Sequence, residues 1–170
     1  MADTIKEQII DNVESLLNTV TAANGATYTI TDVYRHIQID DIKEVEHPAI
    51  CFWVDTTPTN DTGVNGSDMD TAAEVEKTLI IKIQASVTDN ANPDQALTFV
   101  SADIEKALFI TSGSIDMDKL QHNNLAIDSN ITGTTVIYAD IDTPDVMTGY
   151  VEIDYEVVFR HTYGDPYNQI

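Results

Sequence analysis

Toward the end of the chain apolar residues recur at every second position. Over residues 150–161, Val151, Ile153, Tyr155, Val157 and Phe159 share one face, and Glu152, Asp154, Glu156 and Arg160 share the other, with Val158 the exception. Period two in β-branched and aromatic residues predicts a half-buried strand. It is about twice as long as the usual five or six residues. Periodicity alone leaves open whether the strand is central or lies at an edge of its sheet.

Elsewhere the period changes. Ile5, Ile9, Val13, Leu16, Leu17 and Val20 repeat at helical spacing behind a Thr4/Glu7 capping box, and Gly25 supplies a stop. Residues 28–39 alternate and predict one or two strands with a break at Thr31-Asp32. Residues 40–47 are a polar connection. Pro48 then heads the run 49–54, which is apolar on both faces and belongs inside the sheet. A polar stretch from Asp55 to Glu76 leads to the alternation of Leu79, Ile81, Ile83, Ala85 and Val87, so the two strands predict a β-hairpin with a long tip.

A second helix opens with Asn92 as cap, Pro93 in the first turn and Gln95 completing the box. Its buried stripe is Leu97, Val100, Ile104, Ala107 and Leu108, with Phe99 at the margin, and it ends near Ile110. Residues 114–130 predict a short strand or a helical turn. Residues 134–141 predict a strand with Thr135, Ile137, Ala139 and Ile141 on one face, and Pro144 and Gly149 turn the chain into the final strand. With 170 residues, no internal repeat and no linker, the whole chain, 1–170, reads as one domain.

Charge changes the picture most. Eight basic residues oppose 29 acidic ones, giving −21 at pH 7. Such a surface repels nucleic-acid backbones and anionic membranes. It either keeps the protein soluble, as suits a saline habitat, or lines a passage through which a polyanion slides without sticking; the two readings are compatible. No apolar run is long enough to span a bilayer, and the N-terminal residues carry no secretory pattern. Cys51, the single cysteine, sits in an apolar run and reads as a small buried hydrophobe.

The sequence assembles no catalytic set and calls for no cofactor. Phosphate loops, nucleophile elbows and paired histidines at helical spacing are absent. His36, His47, His122 and His161 are dispersed and read as surface or strand-end residues. The stretch 61–66 begins like a calcium loop, but Gly63 stands where a third-position oxygen is needed and Ala72 where a bidentate Glu is needed. Asp61, Asn65, Asp68 and Asp70 are what remains for loose calcium binding; a solvated hairpin tip is the plainer reading.

The order of elements covers nearly the whole chain: an amphipathic helix, a β-segment, Pro48-Ala49-Ile50-Cys51 heading an apolar strand, a polar hairpin and an alternating strand. A helix containing Asp103-Ile104-Glu105-Lys106-Ala107-Leu108 follows, then a last strand running into Gly164-Asp165-Pro166. This pattern resembles the tail terminator family of tailed bacteriophages, the minor tail protein U-like or tail-completion proteins. The resemblance implies an α+β domain with a mixed, mostly antiparallel sheet, two helices packed on one face and a long β-hairpin extension. It implies a structural virion protein at the tail–neck junction, assembled in the host cytoplasm, without enzymatic activity. Its partners would be further copies of itself in a ring, six by the family pattern, the tail tube protein and the neck or connector protein. Genomic DNA would pass through an acidic lumen without specific binding. Candidates for reaching those partners are Asp61, Val64, Asp68 and Met69 in the hairpin tip and Tyr163, Asp165 and Tyr167 after the last strand. Other readings are a different neck or head–tail joining protein, a small acidic enzyme or carbohydrate-binding domain using calcium and the Asp-rich loop, and an adaptor domain with no virion role.

Overall fold

The computed structural model describes residues 3–39, 48–55, 64–65, 74–87, 92–138, 149–162 and 166–167. In chain order these form α1 (Ile5–Leu17), a 3-10 turn (Ala22–Asn24), β1 (Asp32–Arg35), β2 (Ala49–Val54), β3 (Val64–Asn65) and β4 (Glu74–Val87). Next come α2 (Pro93–Phe109), β5 (Ile110–Thr111), β6 (Ser114–Ile115), α3 (Met117–Leu120), β7 (Asp128–Tyr138) and β8 (Gly149–Thr162).

The architecture is α+β. One mixed sheet runs β1-β2-β4-β8-β7, with the short β3 pairing β4. Among the described residues only β1–β2 is parallel; the other pairs are antiparallel. The strand with the clean period of two, β8, is therefore central: it pairs β4 from Glu74↔Thr162 to Val87↔Gly149 and carries β7 on its other side. Its apolar face, Val151, Ile153, Tyr155, Val157 and Phe159, is buried, as are Leu79, Ile81, Ile83, Ala85 and Val87 of β4 and Ile50 and Phe52 of β2. Ile5, Ile9, Ile10, Val13 and Leu17 of α1, and Leu97, Val100, Ile104 and Leu108 of α2, complete one core on that face. Cys51 is also buried, and loss of solvent pushes its thiol up to about 12.

Local chemistry explains the boundaries. Thr4 Oγ1 accepts from Glu7 N at 3.2 Å, forming half of the expected capping box. The reciprocal half is absent because the Glu7 carboxylate takes Arg35 of β1 instead. The first helix stops at Leu17, and Gly25, at φ 79°, closes the 3-10 turn that follows. At the second helix Pro93 occupies the first turn as expected, but the Asn92 side chain makes no capping hydrogen bond. Of the alternating stretch 28–39, only Asp32–Arg35 pairs as a strand. Thr31 N donates to Pro48 O at its start, and His36, at φ 65°, turns the chain away at its end.

The weakly patterned stretch 114–130 contains a strand, a helical turn and the first residues of β7, so β7 begins earlier than its apolar alternation indicates. A bulge at Thr132 accounts for this. Ile131 pairs with Tyr155 and Gly133 with Asp154, so one extra residue shifts the phase. Thr135 and Ile137 consequently lie opposite Glu152 and Tyr150, on the face away from the helices. The two strands of the expected hairpin, β2 and β4, do pair antiparallel, as far as Val54↔Ile81. β4 runs on beside β8, β3 joins it through Val64↔Val75, and residues 56–63 and 66–73 of the expected tip lie outside the described residues.

The two faces of β4 make different energetic demands. Ile81→Ala, on the helix face, should cost about 2–5 kcal/mol through lost burial and an unfilled cavity. Ile80→Ala, half-buried on the other face, should cost well under half as much. Urea denaturation of the two variants measures the difference, and equal costs would contradict the assigned register.

Candidate assembly surface

Among the described residues no strand lies beyond β1 on one side of the sheet or beyond β7 on the other. β7 is the longer, and residues 129–138 carry no charge on a chain of net −21. On its helix-facing side Val136 is 40% and Tyr138 55% exposed, because α2 stops short of covering this strand. Tyr138 Oη donates to Asp94 Oδ1 at the start of α2 at 2.5 Å. That carboxylate pushes the phenol above its usual range, with loss of solvent adding to the effect. The opposite edge is acidic. Glu7, Asp11 and Glu14 stand on one stripe of α1 and converge on Arg35 of β1, with Nη1 2.7 Å from Asp11 Oδ1 and 3.8 Å from Glu14 Oε2.

The sheet face turned away from the helices is a polar ladder. Lys82 Nζ is 2.5 Å from Asp154 Oδ1, directly across the strands. Gln84 Nε2 donates to Glu152 Oε2 at 2.9 Å while its Oε1 accepts from Ile39 N. Arg160 donates to Glu76 through Nε and Nη2. Each pair joins facing positions of β4 and β8, which is how a sheet carries opposite charges in contact.

The sequence reading placed interaction candidates elsewhere. Val64 and Asn65 are backbone-paired strand residues of β3. Tyr167 is exposed beside Pro166, whose carbonyl accepts from Ile5 N at 3.0 Å and fills one of the open donors of α1. Asp61, Asp68, Met69, Asp70, Tyr163 and Asp165 lie outside the described residues, as does His47. Among the described residues no group of three or more His, Cys, Asp or Glu side chains could hold a metal ion, and no helix is long and apolar enough to cross a membrane.

A cleft of about 310 Å³ lies between the 3-10 turn, the C-terminal half of α2 and the β5–β6 turn. Lys106 and Lys119 line it, but both ammonium groups are already used: Lys106 Nζ donates to Gly25 O at 3.0 Å and Lys119 Nζ to Ile110 O at 2.8 Å. Asp103, also in its wall, caps the backbone N–H groups of Thr27 and Tyr28 at 2.6 and 3.2 Å. Lys106 and Asp103 brace the segment after α1 against α2, and Lys119 braces α3 against the end of α2.

One histidine departs from expectation. His122 is completely buried, not on the surface, and heads three consecutive left-handed residues, His122, Asn123 and Asn124. Its Nδ1 is 2.8 Å from Asn12 Oδ1 and its Nε2 2.8 Å from Tyr155 Oη. The amide oxygen only accepts, so Nδ1 carries the proton and Nε2 accepts from the phenol. Burial holds the imidazole down at about 4, while the Tyr155 phenol is raised far above its usual range, chiefly by burial. The ring thus clamps the turn after α3 between α1 and β8. An isolated polar residue in a weakly patterned stretch gave no sign of this role.

The clamp makes stability depend on pH. Above the ordinary histidine value of 6.5 the ring is neutral both folded and unfolded. As pH falls toward about 4 only the unfolded chain takes the proton, so stability drops by about 3 kcal/mol from this group alone. Urea titrations over this range should show that loss in the parent protein and a correspondingly shallower slope in His122→Asn, whose side chain tolerates the left-handed backbone. Parallel slopes would remove His122 from the account.

No protein-family model matches the chain, and no curated protein sequence matches it.

Proposed function

We propose that the chain is a structural protein of a tailed-phage virion, a tail terminator that closes into a ring, six copies by the family pattern, caps the tail tube and joins it to the neck or connector at the tail–neck junction. The observation that carries this reading is the pair of edges at opposite sides of one sheet, neither paired by a further strand among the described residues and one of them long and uncharged. A wedge with two different edges suits head-to-tail contact, and a head-to-tail contact gives a ring when its rotation closes. The element order described above supports the same reading. Net −21 gives such a ring a lumen that DNA slides through without adhering. The work required is shape complementarity and repulsion, not bond making.

Electron microscopy of tail tubes assembled with and without the protein tests this. Tubes should grow to uncontrolled lengths alone and acquire a capped, narrow length distribution when it is added. Tubes whose lengths and ends are unchanged at saturating protein would sink the proposal.

A further inference from the structure

We infer that the joint between copies is a strand-to-strand contact in which the β7 edge of one copy pairs antiparallel with the β1 edge of the next. This deepens the ring reading and rests on it for the partner, a second copy of the same chain.

The strand directions allow it. β1 runs with β2, against β4, with β8 and against β7. A copy placed beside β7 with its helices on the same side therefore presents β1 antiparallel to β7. The backbone groups point the right way. His36 N donates to β2 at Phe52 O, so by alternation the amides of Val33 and Arg35 face away from β2. At the other edge the Ile137 carbonyl faces β8, lying 2.5 Å from where a Cβ on Gly149 would sit, so Val136 and Tyr138 present theirs outward. Charge selects the pairing. Joining two β1 edges would bring two Glu7/Asp11/Glu14 triads together, each offset by one arginine. The uncharged β7 edge meets that acidic edge without adding like charge. Natural edge strands are usually blunted by lysine, proline or inward-pointing charge; residues 129–138 have none of these and only the one bulge.

Proline at an outward amide removes one donor and obstructs an incoming strand while leaving the inner ladder intact. Val33→Pro and Val136→Pro each disable one edge. Sedimentation in roughly 0.5 M salt, where self-repulsion is screened, should find the parent protein in multiples of its 18.7 kDa chain. Each variant alone should be monomeric. An equimolar mixture should regain one joint and sediment at twice the chain mass, because each variant retains the edge the other has lost. Val136→Lys, at an exposed position, replaces Val136→Pro if the latter fails to fold. A parent protein that is monomeric at every concentration and salt overturns the inference. So does a Val33→Pro variant that still forms a dimer, the mark of a twofold β7–β7 contact. Tubes capped as well by Val136→Pro as by the parent would leave the virion reading standing and this joint refuted; a parent that does not cap tubes refutes the virion reading, whatever the masses.

Discussion

The antiparallel pairing of β4 with β8 is the constraint on which the rest of the structure depends. It runs unbroken from Glu74↔Thr162 to Val87↔Gly149 and joins strands far apart in sequence. Each strand then uses its remaining edge once, β4 for β2 and β3, β8 for β7. Because side chains alternate, this register also decides which face is apolar. A slip of β8 by one residue against β4 would move Ile153 and Tyr155 out of the core and bring Asp154 and Glu152 into it. The polar ladder on the far face therefore does more than remain soluble. In the observed register Lys82 faces Asp154, Gln84 faces Glu152 and Glu76 faces Arg160 all at once. The partly exposed ion pairs Lys82–Asp154 and Arg160–Glu76 contribute little stability; their physical effect is to penalise the alternatives.

The same register explains what was legible in the sequence. Where apolar and polar side chains alternated, as in β8 and the second half of β4, the period of two was visible and the strands fall where it put them. The two long helices were visible for the equivalent reason, an apolar stripe at their own period. β1 was less legible. It is half-buried throughout, and its pairing with β2 is set by neighbours, not by its own alternation. β7 was misplaced at its start because the bulge at Thr132 breaks the phase, and a broken phase reads as a loop. The polar interior was not legible at all. His122 and Asn12 look like surface residues until Tyr155, from a distant strand, brings its phenol to one nitrogen of His122, whose other nitrogen meets Asn12. Buried polar groups must be partnered, but the sequence does not say which polar residue the partner will be.

Charge and topology together bear on how copies of this chain could meet. At −21, approach is resisted over most of the surface, and five of the eight cations are used internally: Arg35 holds α1 to β1, Lys82 and Arg160 tie β4 to β8, and Lys106 and Lys119 bind backbone carbonyls. Attraction between unlike surface charges is thus a poor basis for self-association. Backbone hydrogen bonds and apolar contact carry no net charge, and β7 is where the described surface offers both. The resistance elsewhere then becomes useful. In the proposed joint it would confine contact to the β7 and β1 edges, so the feature that opposes assembly in general would also restrict its geometry.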